Sequence, residues 1–354
     1  MNVLIGEISS YKAIVIVKFI KVNYPNINVY TYDYHQFTYR FHSKYSDKHF
    51  RLKETPKNND GFLFELSSVV RENKIDLFIP VHSDSIGLIL KNKNLFDNTL
   101  NYLGDYDTYM VMHTKDSLMN LAKTLFIKIP KNYNVLNSIV LPCVAKPKTS
   151  SSSKGVFYLK NQKDLEKFKR ETRENYIYQE YIQGIGCGYS IYCIDGKIIK
   201  EYGHRRIAEF PVTGGSSVYR TTFNHPNMKI IAQKILGQLS WTGFVMFEFK
   251  LTTEGELVLI EINPRIWGSI NQALSNGVNL FEPILPGKAI GEEQNFLINT
   301  YLTPQVYFSF LLYIIHGDFR PLINFFRNLH RNKADVSLFN DWRAWLSVIF
   351  RNIL

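Results

Sequence analysis

LVLIEINPRIWG, residues 257–268, joins an apolar strand to three polar side chains at alternate positions, Glu261, Asn263 and Arg265. Because alternate side chains of a strand share one face, a carboxylate, a carboxamide and a guanidinium are predicted to point into one cleft. Upstream, GFVMFEFK at residues 243–250 places Glu248 in a second apolar strand. Buried acids are costly unless they are paired or bind a metal. Oxygen ligands beside an arginine are typical of Mg²⁺ carrying a nucleotide phosphate, and a plain β-hairpin with acids at its ends is the alternative.

The composition limits which classes of protein this chain can belong to. A chain of 354 residues is long enough for two or three domains. The net charge of +11 favours anionic partners, but no nucleic-acid-binding module is recognisable. The three cysteines lack CxxC spacing, so neither a disulfide framework nor a zinc site is predicted. We see no signal peptide, and the longest apolar run, residues 306–315, falls short of the ~20 residues that span a bilayer. A cytoplasmic enzyme is predicted.

The order of predicted elements indicates an α/β protein. Strands at residues 2–6, 27–33 and 76–81 alternate with helices, which predicts a parallel sheet. The first turn, GEISS, lacks the glycine fingerprint of a dinucleotide site. Further along, we expect strands at 140–146, 156–159 and 176–182 and a hairpin around residues 195–196. Residues 185–188 are expected to form a flexible turn, and residues 204–217 a polar loop.

FEF at residues 247–249 and EINPR at residues 261–265 resemble the metal-binding core of the ATP-grasp superfamily, which includes carbamoyl phosphate synthase and biotin carboxylase. The resemblance covers about residues 1–288, and its specific motifs lie in residues 146–268. It implies an α/β ATP-grasp fold with an N-terminal parallel-sheet domain at residues 1–105. A two-lobed nucleotide-binding module at residues 106–300 and a helical C-terminal extension at residues 301–354 would follow.

The resemblance also implies ATP as cofactor, with Mg²⁺, or Mn²⁺ in its place, held by Glu248, Glu261 and Asn263. Lys146 ends an apolar strand before a serine-rich loop, which suits phosphate contact. QEYI at residues 179–182 resembles the hinge that binds adenine. Most relatives then place a glutamate that holds the ribose, where this chain has Gly188. The implied nucleotide contacts are Lys115, Lys146, Ser152, Ser153, Gln179, Glu180 and Ile182.

HRRIAEFPVTGG, residues 204–215, forms a second polar cluster. Guanidinium groups bind carboxylate and phosphate bidentately, and adjacent residues of an extended chain point to opposite sides. We therefore expect one arginine to face the reaction and favour Arg206; a basic surface loop is the alternative. The string resembles a signature of carboxylate–amine ligases found among cell-surface polysaccharide genes. Arg206 and Arg265 are the predicted catalytic residues.

These resemblances imply an ATP- and Mg²⁺-dependent ligase that joins a small-molecule carboxylate to an amine through an acyl phosphate. One alternative is a kinase or an enzyme that releases an acyl or carbamoyl phosphate. Another is a non-catalytic nucleotide-binding protein. ADP formation that requires both a carboxylate and an amine separates the three. A sugar acid and an amino acid are equally open as substrates.

The tail carries apolar residues at helical spacing: Trp342, Trp345, Leu346, Ile349, Phe350 and Ile353. Residues 321–331 have a similar basic and aromatic character. Such helices can lie on anionic membranes, which would make the protein a peripheral membrane protein. We expect instead that the last helix packs on the core or on a second copy of the chain in a homodimer.

Overall fold

The structure is a computed structural model that describes residues 1–35, 42–133, 135–148, 155–170, 175–212, 214–287 and 297–353. Its strands are β1 (Asn2–Ile5), β2 (Asn28–Asp33), β3 (Lys48–Arg51), β4 (Leu77–Ile79), β5 (Asn132–Tyr133), β6 (Cys143–Pro147), β7 (Phe157–Leu159), β8 (Tyr176–Glu180), β9 (Ile185–Ile194), β10 (Lys197–Phe210), β11 (Ser216–Thr222), β12 (Gly243–Leu251), β13 (Leu257–Asn263), β14 (Asn299–Tyr301) and β15 (Asn332–Ala334).

The helices are α1 (Tyr11–Asn23), α2 (Asn59–Glu72), α3 (Ser83–Lys91), α4 (Tyr106–His113), α5 (Lys115–Thr124), α6 (Gln162–Arg170), α7 (Pro226–Leu239), α8 (Ile270–Leu274), α9 (Gln305–Ile315), α10 (Arg320–Arg327) and α11 (Trp342–Ile353). Short 3₁₀ helices occupy Lys93–Leu100, Leu136–Ser138 and Leu329–Arg331.

The N-terminal sheet is entirely parallel, with strand order β3-β2-β1-β4. Strand β1 is almost fully buried because helices cover the sheet. Helix α1 follows β1 after a short turn, and the side chain of Ser10 caps it by accepting a hydrogen bond from the backbone of Ala13 at 3.4 Å. The predicted parallel sheet is confirmed.

A small antiparallel sheet follows, in the order β5-β8-β6-β7. Its own apolar cluster, which helix α6 completes, contains Cys143, Ala145, Leu159, Leu165 and Phe168. Side chains alternate between the two faces of β6 and β8, so some of them point away from this cluster. Lys146 and Gln179 are polar but buried, and both are therefore candidates for a binding site.

The large sheet has the order β13-β12-β9-β10-β11-β14-β15 and is antiparallel except for the β14–β15 pair. Strands β9 and β10 meet at Asp195 and Gly196, whose φ angles of 46° and 75° fit the two-residue hairpin predicted there. Two expectations were wrong. Residues 185–188 are strand β9 rather than a turn, and residues 204–210 are the end of β10 rather than a loop. Residues 185–188 pair with β12 and residues 204–210 pair with β11, and this pairing overrides their glycine-rich and polar sequences.

The C-terminal segment is not helical throughout, because β14 and β15 extend the large sheet. Arg220 of β11 forms a fully buried ion pair with Asp335, which follows β15, and Asn271 also donates to Asp335 at 3.0 Å. A buried pair of this kind is strongly destabilising to break, so it fixes the segment to the sheet.

Helix α11 docks on the main core, although through a different face from the predicted one. Ala344, Ser347 and Val348 are buried, whereas Trp345 is half-buried and Trp342 is exposed. The main core runs from β1 through the large sheet to this helix. In the part of the chain that the structure describes, no helix combines the length and apolar character needed to cross a bilayer.

Candidate active site

Two carboxylates face each other at the edge of the large sheet. Glu248 of β12 is paired in register with Glu261 of β13. Burial raises the pKa of Glu248, and the nearby Glu261 adds to this, although Arg206 counteracts both. Burial also works to raise the pKa of Glu261, but Lys115 and Lys146 bring it below its usual value. The surrounding cations therefore favour the ionised form of Glu261, whereas at Glu248 burial outweighs the effect of Arg206 and favours the protonated form.

Asn263 and Arg265 complete the arrangement that the alternating pattern predicts. The Asn263 Nδ2 donates to Glu248 Oε1 at 3.1 Å and to Glu261 Oε1 at 3.2 Å. Arg265 Nη2 in turn donates to Asn263 Oδ1 at 2.9 Å, and its Nη1 donates to the Ile266 carbonyl at 2.9 Å. Burial lowers the pKa of Arg265. The four side chains form one continuous hydrogen-bonded group.

Arg206 reaches this group from β10, across the intervening strand β9. Its Nη2 donates to Glu248 Oε2, and its Nη1 donates to Glu209 Oε1 at 3.3 Å. The crossing requires Gly186 of β9, because a Cβ there would lie 2.8 Å from Arg206 Cδ. Arg206, and not its exposed neighbour Arg205, thus lies beside the carboxylates. Its Nε is buried and has no hydrogen-bond partner among the described residues.

A β-bulge in β10 brings Glu209 to the same face as Arg206. In a regular strand, residues three apart point to opposite faces. Here the pairing of β10 with β11 shifts between Arg206 and Ala208 and again between Ala208 and Glu209. The Glu209 carboxylate consequently lies over Gly186, where a Cβ would be 2.8 Å from Glu209 Oε1. Lys250 Nζ is 3.9 Å from the same oxygen.

His204 explains why β9 carries a glycine at position 188. A Cβ on Gly188 would lie 2.8 Å from His204 Nε2, so the imidazole fills the space of any side chain at that position. Burial lowers the pKa of His204 to about 3, and Arg220 and Arg206 contribute. The ring is therefore neutral at physiological pH, with Nε2 3.2 Å from Ser269 Oγ.

Two buried lysines face the carboxylates from the other side of the cleft. Lys146 lies on β6, and Lys115 is the first residue of α5. Burial lowers the pKa of Lys146 to about 8, while Glu261 acts in the opposite direction. The electrostatic effect of Lys115 on both Lys146 and Glu261 places all three groups in one cluster. Such paired cations are suited to binding phosphate oxygens.

The predicted hinge begins in β8 of the small sheet and continues just beyond it. Gln179 is buried, its Nε2 donates to Asn132 Oδ1 at 2.9 Å, and its Oε1 has no partner among the described residues. The Glu180 side chain is exposed, and its backbone N–H donates to the Lys131 carbonyl at 2.8 Å. Ile182 comes just after β8 and is partly buried. The predicted Ser152 and Ser153 lie outside the described residues.

A cavity of about 530 Å³ opens beside Arg206 and Glu209. Its walls include Tyr181 of the hinge, Lys250 of β12, and the segment that joins α9 to α10. Sequence reasoning left Glu209, Lys250 and His204 without a committed role. The pair Arg206 and Glu209 can be recognised only when the bulge is known, because their spacing is wrong for a regular strand.

The described residues contain no group of three or more His, Cys, Asp or Glu side chains that could hold a metal ion. The site offers two carboxylates and one amide. Mg²⁺ is usually bound by one or two carboxylates together with substrate phosphates, so this donor set fits a metal that arrives with a nucleotide. It does not fit a metal held by the protein alone.

Comparison with known proteins agrees with this geometry. Residues 112–269 match the family model described as ATP-grasp domain. A D-alanine–D-alanine ligase of Fusobacterium nucleatum is 27% identical over 164 residues, which cover 42% of this chain and 55% of the relative. The chain therefore spans about half the length of that relative.

Solved structures share the fold at low identity. The L-amino acid ligase from Bacillus licheniformis has a TM-score of 0.59 at 15% identity, over 78% of this chain and 69% of that one. The biotin carboxylase domain dimer of the Hydrogenobacter thermophilus 2-oxoglutarate carboxylase, in complex with MgADP, ADP and bicarbonate, has a TM-score of 0.62 at 12% identity. That match covers 84% of this chain and 71% of the other. The matched family model and the shared fold show that residues 112–269 have an ATP-grasp fold, and the carboxylate pair and the facing lysines lie within these residues.

Proposed function

We propose that the protein is an ATP- and Mg²⁺-dependent ligase that joins a carboxylate to an amine. The observation that carries this proposal is the continuous group of Arg206, Glu248, Glu261, Asn263 and Arg265 opposite two buried lysines. The reactions named for the D-alanine–D-alanine and L-amino acid ligases are of this class. A cleft that combines acidic and basic side chains suits charge stabilisation during transfer between bound substrates.

The reaction would proceed in two steps. An oxygen of the substrate carboxylate attacks the γ-phosphorus of ATP, the bond from that phosphorus to the β–γ bridging oxygen breaks, and ADP leaves. The amine nitrogen then attacks the acyl carbon, the carbon–oxygen bond to phosphate breaks, and inorganic phosphate leaves. The amine proton passes to solvent. Positioning and charge neutralisation by the protein account for the catalysis.

Glu248 and Glu261 would hold the metal, with Asn263 as a third ligand once its amide is turned over to present Oδ1. At present that oxygen accepts from Arg265 and the Nδ2 serves the carboxylates. The amide orientation follows from its hydrogen bonds, so it can exchange with another set of partners. When bound, Mg²⁺ supplies positive charge to the phosphate oxygens.

The nucleotide contacts follow from the placement of the buried polar groups. Lys146 and Lys115 would bind the phosphates, because they are the cations that face the two carboxylates. Gln179 would accept from the adenine amine through its Oε1, which has no partner among the described residues. Ile182 and the Glu180 carbonyl would provide the backbone contacts of the hinge, since the Glu180 N–H already donates to Lys131.

Arg206 would bind the oxygens of the transferring phosphoryl group. Two of its nitrogens serve Glu248 and Glu209, and its Nε is a buried donor with no partner among the described residues. Burial opposes the charge on this side chain, but Glu248 and Glu209 raise its pKa above the ordinary value. The guanidinium therefore stays charged, and it would attract the phosphoryl oxygens most strongly when negative charge builds up on them during transfer.

The test is a screen of paired carboxylates and amines for ADP release, with Mg²⁺ and ATP in excess. We expect ADP to form only when one carboxylate and one amine are both present. ADP release with a carboxylate alone would instead favour a kinase or a phosphate-releasing enzyme. ADP binding without turnover over a broad screen would favour a nucleotide-binding protein.

Glu261→Gln supplies the matched variant for that screen. A neutral amide is a weak ligand for Mg²⁺, so ADP formation should fall by about 100-fold or more while the fold is kept. Glu256→Gln, on the exposed turn before β13, is the control and should turn over like the wild type. Near-normal turnover of a folded Glu261→Gln protein would remove Glu261 from the metal site.

A further inference from the structure

Helix α9 has an apolar outer face. Its sequence, QVYFSFLLYII, contains no charged residue, although it lies at the surface. Val306, Ser309 and Phe310 point inwards and are buried. The outward side chains Tyr307, Phe308, Leu311 and Ile315 are 51–75% exposed. A surface helix of a globular protein normally places polar residues on its outer face. The exposed apolar face of α9 therefore indicates contact with another molecule or with a membrane.

Helix α10 and its flanks extend this apolar face. Phe325 is buried and packs edge-to-face against Phe310 of α9, with ring centroids 5.3 Å apart. The two helices are therefore packed against each other. The outward residues Phe319, Ile323, Phe326 and Leu329 are 45–64% exposed. We call these four residues, together with the four outward residues of α9, the α9–α10 surface.

The charges around this surface are strongly one-sided. Residues 305–334 contain four basic side chains, Arg320, Arg327, Arg331 and Lys333, against the single carboxylate of Asp318, a net charge of +3. Asp318 is itself paired with Arg320 at 2.7 Å. A second copy of the chain would bring two such basic surfaces together, whereas anionic headgroups would neutralise the charge. Exposed phenylalanines with arginines at their edge are typical of helices that lie in a membrane interface.

We propose that the α9–α10 surface docks on an anionic lipid surface, with its apolar side chains inserted at the headgroup boundary. The helices would lie in the plane of the interface, since none in the described part of the chain can span a bilayer. Asp318, between the two helices, and Arg320 and Pro321, at the start of α10, also line the cavity beside Arg206. Docking through this surface places the cavity beside the lipid headgroups. The proposal concerns binding and stands independently of the reaction.

The test is sedimentation of the full chain with vesicles of phosphatidylcholine, alone or mixed with phosphatidylglycerol. We expect the protein to sediment with the mixed vesicles and to remain largely in solution with phosphatidylcholine alone. Raising the ionic strength should weaken binding, because arginine contacts to headgroups are screened. Failure to sediment with the mixed vesicles at low ionic strength would overturn the proposal.

Surface variants separate this proposal from non-specific adsorption of a basic protein. The triple variant Phe308→Gln, Leu311→Gln and Phe326→Gln removes only exposed apolar groups and should weaken vesicle binding by about ten-fold or more. Its melting temperature should stay near that of the wild type. The matched control changes exposed apolar side chains elsewhere, Val22→Gln, Phe64→Gln and Ile230→Gln, which are 53%, 71% and 53% exposed. It should bind vesicles like the wild type.

Two results would contradict the proposal. Equal vesicle binding by the triple variant and its control would mean that overall charge, and not the α9–α10 surface, attracts the protein. A wild type that ignores vesicles but is a dimer in solution, with a monomeric triple variant, would assign the surface to contact between copies of the chain.

Discussion

Two positions of β9 must be glycine because side chains from β10 occupy the space above them. Gly186 leaves room for Arg206 and Glu209, and Gly188 leaves room for His204. The strand between β10 and β12 is thus bare at two positions on the site face, and β10 side chains act on a carboxylate two strands away. Glycine is required here for close approach and not for its backbone freedom.

Replacing Gly188 by alanine should therefore destabilise the protein. The new Cβ would lie 2.8 Å from His204 Nε2, and the buried ring has little room to move. Overpacking of this kind costs about 1–3 kcal/mol, and we expect a lower melting temperature by calorimetry. Gly268→Ala is the control, because a Cβ there meets nothing within 4 Å. Equal stability of the two variants would show that His204 does not occupy the space above Gly188.

The pKa of Lys146 predicts how nucleotide affinity changes with pH. Burial lowers this pKa to about 8, and only the charged ammonium attracts phosphate. The affinity for Mg-ADP, measured by calorimetry, should fall as pH rises through this value. In Lys146→Arg the fall should disappear, since the guanidinium stays charged. A fall that persists in Lys146→Arg would assign the pH dependence to another group.

The lowered pKa of Lys146 also predicts how the stability of the protein changes with pH. The folded pKa of Lys146 lies below its ordinary value of 10.5, so the unfolded chain binds more protons between about 8 and 10.5. The contribution of Lys146 to the free energy of unfolding should therefore rise with pH in that window. Lys146→Arg removes this contribution, which makes the difference between the two proteins the measured quantity.

At the level of residues, the sequence predicts local patterns better than contacts made across strands. Glu261, Asn263 and Arg265 occupy alternate positions, and their hydrogen bonds follow directly from strand geometry. The reason for Gly188 could not be found in the same way, because His204 lies sixteen residues further along the chain. The roles of the nucleotide-binding and metal-binding residues remain predictions.

At the level of elements, the last helix shows where a hydrophobic pattern misleads. Spacing indicated a face of tryptophan and large aliphatic residues, but α11 is held by Ala344, Ser347 and Val348. Small residues let a helix approach the core closely, and periodicity alone does not reveal which of two apolar faces is the inner one. A similar limit applies to β10, whose polar end is a strand because β11 pairs with it as far as Phe210.

Asp341 is the residue that fixes α11 in place. Its buried carboxylate accepts from Ser43 Oγ at 2.5 Å, from the Lys44 N–H at 3.2 Å and from the Ala344 N–H at 3.3 Å. Asp341→Ala should lower the free energy of unfolding by about 1–3 kcal/mol, because it removes a helix cap and leaves Ser43 unsatisfied. Denaturant unfolding measures this loss, and Asn340→Ala is the exposed neighbouring control. No difference between the two would mean that α11 contributes little to stability.

At the level of the whole molecule, one core joins parts that the sequence divides into domains. The main apolar cluster includes Val3 and Ile14 as well as Trp267 and Val348. Polar contacts cross the same boundary, since Lys12 Nζ donates to the Ile266 carbonyl at 3.1 Å, beside Arg265. The division at residues 105 and 106 is a prediction about organisation, and the shared core argues that the parts unfold together.

We therefore expect a single unfolding transition in calorimetry, with equal calorimetric and van't Hoff enthalpies. The fragment of residues 106–354 should be insoluble, because removing the N-terminal part exposes the inner side of Trp267 and its neighbours. Two separate transitions, or a soluble fragment that melts like part of the whole, would restore residues 1–105 as an independent unit.

The parallel N-terminal sheet and the family resemblance were within reach of the sequence, and both are confirmed. The sequence singled out residues 321–331 as a basic and aromatic segment, but it did not reveal the exposed face of α9, because apolar residues at helical spacing normally indicate burial. Only the exposure of Phe308, Leu311 and Phe326 distinguishes a face turned outwards from one turned inwards.

The bulge in β10 also changes how this chain has to be compared with others. An extra residue between Arg206 and Ala208 reverses the odd–even count of β10, so Glu209 and Phe210 are out of phase with a relative that lacks this residue. In such a relative the counterpart of Glu209 stands two residues after the arginine, whereas here it stands three residues after Arg206. An alignment made without a gap at this point would match Glu209 to a side chain on the opposite surface of the sheet, and would miss the acid altogether.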